Sequence, residues 1–137
     1  MRNKESENQK VRFLFVGEKR STTAQEKNYT WQNCPDVGVL CARKLFEALR
    51  EAGIEPREHD FINAWEDDGN PQEIYFQGRI VVAMGQRVQD ELDKRGIPYI
   101  PIIHPAARGT WCRKIEYGNM IRETLTSENI DAFKLET

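Results

Sequence analysis

Three short polar motifs, each at the end of an apolar run, hold the residues of this chain best suited to chemistry. Gly17-Glu18 follows Val11-Arg12-Phe13-Leu14-Phe15-Val16, Asn63 follows Phe61-Ile62, and His104-Pro105 follows Pro101-Ile102-Ile103. A carboxylate can orient or deprotonate water. An amide offers two donors and an acceptor, so it can read a nucleobase edge. An imidazole hydrogen-bonds or carries charge near neutral pH. Each alone has an ordinary explanation: a solvated loop acid, an Asx turn or cap, a structural residue before proline. Their joint occurrence at one kind of position raises the functional reading above those.

The elements that must position them follow from periodicity. Residues 11–16 and 79–84 are short β-prone apolar runs that fit buried strands, 54–62 is a weaker strand, and 98–103 is a strand whose Pro101 marks an edge or a bend. Helical spacing covers 37–52, with Asp36 as N-cap and Gly53 as stop. It covers 86–94, ended by Gly96, and 111–125. Pro71 fits the opening of a short helix. The remainder reads as loops: a long polar one over 17–35, an acidic one over 63–71, and a polar end over 126–137 with at most a short turn. Alternation of strands and helices predicts a three-layer α/β/α fold around a parallel sheet. Ligands of such sheets bind beyond the strands' carboxyl ends, where Glu18, Asn63 and His104 all fall. The exit at Gly85-Gln86 is too short to add much.

Composition sets the outer limits. A chain of 137 residues is one domain and buries about two-thirds of its unfolded surface. We divide it into a flexible N-terminus at 1–10, a single domain at 11–125 and a C-terminal tail at 126–137. No apolar run approaches the roughly 20 residues of a membrane span, and the polar start has no signal-peptide core. The three cysteines, Cys34, Cys41 and Cys112, form no CxxC pair. They argue against a disulfide framework, a zinc site or a metal cluster, and fit a reducing cytoplasm. No cofactor is expected, and a monomer is. With 20 basic and 22 acidic side chains the net charge is −2, so strong non-specific affinity for nucleic acid is not expected.

The motifs together resemble the uracil-DNA glycosylase superfamily, most closely its thermostable iron–sulfur branch. That family has a strand followed by Gly-Glu-x-Pro, matched by Phe15-Val16-Gly17-Glu18. Its next helix carries Ala-Gly-x-Leu-Leu…Gly-Ile, matched by Ala42-Arg43-Lys44-Leu45-Phe46…Gly53-Ile54. Phe61-Ile62-Asn63, Ile80-Val81-Val82-Ala83-Met84-Gly85 and His104-Pro105-Ala106-Ala107 match its later motifs in order. The likeness spans nearly the whole chain. With right-handed crossovers it implies a four-stranded parallel sheet of order 2-1-3-4. It also implies cleavage of the N-glycosidic bond of uracil or a related base, in single-stranded or flipped-base DNA. The family roles then fall to His104, donating to the departing base, Asn63, reading its edge, and Glu18, positioning water.

Departures from the family pattern bear on DNA binding more than on fold or pocket. Arg20 replaces the motif proline, and the stacking aromatic aligns near Gly38, leaving Tyr29 or Trp31 to contact the base. The four cluster cysteines are missing. Arg108 replaces the apolar wedge, and Glu66-Asp67-Asp68 replaces a basic segment. Arg20, Ser21, Arg108 and Arg113 are the candidate DNA or phosphate contacts, with Trp111 beside them to stack on a base. A helix start with a core Trp and solvated charges explains Arg108, Trp111, Arg113 and Lys114 equally well. Arg43, Lys44 and Arg50 read as the wet face of a helix. Two further functions suit these departures: hydrolysis of a free nucleotide or nucleoside, and non-catalytic binding of a base or nucleotide. Salt-dependent DNA binding separates the first reading from the others, and base release separates enzyme from binding module.

Overall fold

The computed structural model describes residues 11–33, 40–107 and 109–137, and only the backbone at Leu40, Cys41, Trp111 and Cys112. The expected N-terminal segment 1–10, the N-cap Asp36, and Cys34, Gly38 and Arg108 lie outside the described residues.

Four strands form one parallel sheet: β1 (Phe13–Gly17), β2 (Asp60–Asn63), β3 (Ile80–Met84) and β4 (Ile100–Ile102), in the order β2-β1-β3-β4. The order is that expected. β1 and β3 are central and buried along their whole length. That is why their sequences are continuous apolar runs rather than alternating ones. The edge strands tolerate what a central strand would not. β2 begins and ends on polar residues, and β4 holds Pro101, whose missing N–H costs nothing on an open edge.

The described residues form five α-helices: α1 (Thr22–Lys27), α2 (Leu40–Glu51), α3 (Gln86–Arg95), α4 (Lys114–Thr124) and α5 (Ser127–Glu136). Against one face, Phe13, Phe15, Val82 and Met84 pack on Leu45 and Leu49 of α2 and on Tyr117 and Ile121 of α4. Against the other, Leu14, Val16, Val81 and Ala83 pack on Val88 and Leu92 of α3 and on the loop carrying Trp65, Ile74 and Phe76. The result is the three-layer α/β/α architecture. Among the described residues, no helix is long and apolar enough to cross a membrane.

The structure differs from the sequence reading in local detail. The 17–35 loop contains α1, which buries no residue and so leaves no apolar periodicity to detect; Ser21 caps it by accepting from the Ala24 N–H at 3.1 Å. The 126–137 segment is a ten-residue helix rather than a short turn. Thr126 caps it, and Ile130 and Phe133 lie one turn apart against the core. No helix opens at Pro71, which instead pairs with Trp65 in an isolated antiparallel bridge. The 54–62 segment turns through a 3-10 helix at Pro56–Glu58 before β2 begins. The expected 111–125 helix is split into a 3-10 turn at Gly109–Cys112 and α4.

Candidate functional site

The carboxyl ends of β1, β2 and β4 open into one cleft of about 740 Å³. Glu18, Asn63 and His104 all line it, together with Arg20, Ser21, Tyr29 and Trp31. A volume of this size accommodates a nucleoside-sized ligand. Register explains the convergence. Gly17 stands opposite Asn63, and the ladder runs two residues past the strands, Ala64 N–H donating to the Gly17 carbonyl at 2.8 Å and Trp65 N–H to that of Glu18 at 3.2 Å.

Asn63 is held from the side. The indole N–H of Trp31 donates to Asn63 Oδ1 at 2.9 Å. The Trp31 ring stacks on Phe61, 5.5 Å between centroids, and Phe61 stacks on Phe15 at 4.8 Å. An aromatic column thus runs from the core to the cleft floor. Gly17 makes it fit: a Cβ there would lie 3.0 Å from Asn63 Oδ1 and 3.1 Å from the Trp31 ring.

His104 is fixed on two sides. Its Nδ1 accepts the Ala106 N–H at 2.9 Å, so in the neutral ring the proton sits on Nε2. Gly85, at φ +96°, packs against it; a Cβ there would lie 3.1 Å from His104 Cβ. Gly85 therefore serves both a backbone conformation closed to other residues and the seat of the imidazole. Tyr117, wholly buried, steadies the preceding backbone by donating to the Ile103 carbonyl at 2.8 Å. Burial holds the imidazole below its ordinary value; Glu18 opposes that effect and Lys44 adds to it. At neutral pH the site holds an uncharged ring with one N–H, on Nε2, to offer.

The half-buried Glu18 pairs with Arg87 Nη1 at 3.3 Å, and the Arg87 guanidinium lies 5.3 Å from the centroid of the Trp65 ring. Arg87 and Trp65 were not among the residues expected at the site. The signal for Trp65 was its place two residues beyond Asn63. Arg87 belongs to the Gly85-Gln86 exit that looked too short to contribute. The structure corrects that expectation, since this turn seats His104 and reaches Glu18.

Arg20 has internal partners rather than an open guanidinium. It makes a two-pronged contact with Asp67, 3.1 Å for the longer bond, and donates to Asn28 Oδ1 and the Tyr29 carbonyl at 3.1 and 3.0 Å. It ties the α1 loop to the acidic loop and holds the Asp67 carboxyl below its ordinary value. Ser21 uses its oxygen as the α1 cap. Arg113 does not line the cleft; it is largely exposed at the start of α4, 3.8 Å from Glu116. The cleft rim carries Glu66, Asp67 and Asp68 against Lys19 and Arg20. Among the described residues, no three His, Cys, Asp or Glu side chains are grouped to hold a metal ion. Cys34 and the side chains of Cys41 and Cys112 are outside that description.

No known protein family matches this chain, and no curated protein matches it either.

The two histidines predict how stability depends on pH. His59 lies under the opposite end of the sheet, its Nδ1 accepting the Phe13 N–H at 3.0 Å. Burial lowers its pKa from the ordinary 6.5; Arg12 acts the same way, while Glu58, Asp60 and Glu55 oppose it. Both imidazoles thus bind protons more readily in the unfolded chain. Their contribution is complete above about 6.5 and is lost as pH falls from there through the depressed folded values. Urea midpoints are expected to drop between pH 7.5 and 5.5. His59→Gln should flatten part of that slope, and a midpoint that rises on acidification would contradict the assignment.

Proposed function

We propose that this chain is a nucleobase-recognising N-glycosidic hydrolase, similar to the uracil-DNA glycosylases, acting on uracil or a related base in single-stranded DNA. The observation carrying the proposal is the gathering of Glu18, Asn63 and a neutral His104 around one nucleoside-sized cleft. In this reading the Asn63 amide pairs with the base edge, and Tyr29 is the aromatic free to stack on it. As the glycosidic bond breaks, its electron pair leaves with the base, whose carbonyl oxygen becomes anionic. The Nε2–H of His104 donates to that oxygen, an interaction stronger in the transition state than before it. The sugar becomes cation-like, and water oriented by Glu18 adds to it while losing its proton.

The rim acids Glu66 and Asp68, beside an Asp67 already paired with Arg20, favour a second substrate class, a free nucleotide or nucleoside. Such a ligand needs no phosphate-tracking surface, whereas duplex DNA would be repelled. Single-turnover base release from single-stranded uracil-DNA and from dUMP tests both. Release above background from either substrate supports hydrolysis and says which class is preferred. Background release from both, with uracil still bound, makes the chain a binding module instead.

A further inference from the structure

The bond between Trp31 and Asn63 has a consequence for which bases the cleft can take. An indole has one donor and no acceptor. The Trp31 N–H therefore bonds Asn63 only when the amide oxygen faces it, as it does at 2.9 Å. The amide nitrogen Nδ2 is left for a ligand, and among the described residues it has no hydrogen-bond partner. The orientation is backed on both sides. Trp31 rests on Phe61, and the Gly17 backbone closes against both the indole and the amide oxygen.

We propose that Trp31 is a positioning residue that sets base specificity by locking the Asn63 amide in one orientation. This inference rests on reading the cleft as a nucleobase site. With Nδ2 outward, the amide donates to a ring carbonyl, and the second lone pair of Oδ1 accepts from the adjacent ring N–H. An edge with a carbonyl beside an N–H, as in uracil, satisfies both atoms. An edge with an exocyclic amino group beside a bare ring nitrogen, as in cytosine, sets donor against donor. Turning the amide over would repair that mismatch, but the NH₂ would then face the indole N–H, leaving the indole without an acceptor. Either arrangement leaves a partly buried donor unmet, which corresponds to a discrimination of about 10²-fold.

Binding of free uracil and free cytosine tests the lock without requiring catalysis. Wild type is expected to prefer uracil by about 10²-fold. Trp31→Phe keeps the ring on Phe61 but removes the N–H. The amide can then turn, and the preference is expected to shrink about tenfold or more. Asn63→Asp still accepts from Trp31 but offers an acceptor at both contacts, so each base meets one match and one clash and the preference for uracil should largely disappear. A Trp31→Phe protein that folds and keeps the wild-type preference overturns the lock. If that variant does not fold, a folded Trp31→Leu protein, which also lacks the N–H, overturns the lock by keeping the wild-type preference. Wild type binding both bases equally overturns the lock and leaves the base site standing. Wild type binding neither base removes the site and the lock together.

Discussion

Replacing His104 by alanine is expected to slow base release by about 10²–10³-fold, the usual consequence of removing one donor aimed at developing charge. Ground-state binding should change little, because the charge the donor meets exists only as the bond breaks. The substitution is clean in this fold. The residue keeps the Cβ that packs against Gly85, and what disappears is the ring with its Nε2–H and the acceptor for the Ala106 N–H. His104→Gln restores a neutral donor on a side chain of similar reach and should recover part of the loss. Single-turnover release under saturating enzyme separates the chemical step from binding. Equal rates for wild type and His104→Ala would remove the imidazole from the chemistry.

The neutrality of the ring matters to this expectation. A charged imidazolium would attract the departing base electrostatically but would also demand its own solvation inside the cleft. Burial has already lowered its pKa, so the donor works without a change of charge on the protein. The rate over pH 6–8 should accordingly show no loss of activity attributable to deprotonation of His104.

The sheet was legible because its two central strands are buried on both faces. Ile80-Val81-Val82-Ala83-Met84 has no alternation to confuse with an exposed strand, and Pro101 marked β4 as peripheral. Helices with an apolar face were legible for the same reason. α1 was not, because it buries nothing and is held by the Ser21 cap and by the Arg20 contacts of the loop around it. α5 could have been found from Thr126 followed by the Ile130 and Phe133 spacing, a capping residue ahead of a one-turn apolar pair.

At the site, the strand exits bring Glu18, Asn63 and His104 to the lining of one cleft. What the sequence did not disclose was pairing across it. Arg20 looked like an open cation until Asp67, 47 residues away, closed on it. Trp31 looked like a stacking platform, whereas its N–H serves Asn63. A two-residue turn after β3 gives no hint that a guanidinium from α3 spans to Glu18, just past the end of β1. Charge pairs and side-chain hydrogen bonds between loops depend on register and loop path, and neither is written in local periodicity.

Glu18→Gln is expected to lower base release about 10²-fold, within the range typical of a positioned acid or base, while leaving uracil binding unchanged. The side chains are nearly the same size, so the Gly17 turn and the Trp65 N–H bond to the Glu18 carbonyl persist. Lost is the negative charge that faces a cation-like sugar, and with it an acceptor for the proton of the attacking water. The partner residue discriminates this from a simple broken ion pair. Arg87 is about three-quarters exposed, and such pairs contribute little on their own. Arg87→Gln should therefore change the rate only a few-fold, by loosening the carboxylate rather than deleting it. If Arg87→Gln and Glu18→Gln lose activity equally, the pair acts as a unit and Glu18 has no separate role toward water. If Glu18→Gln instead loses uracil binding, the carboxylate belongs to recognition, and the water must be oriented by another group in the cleft.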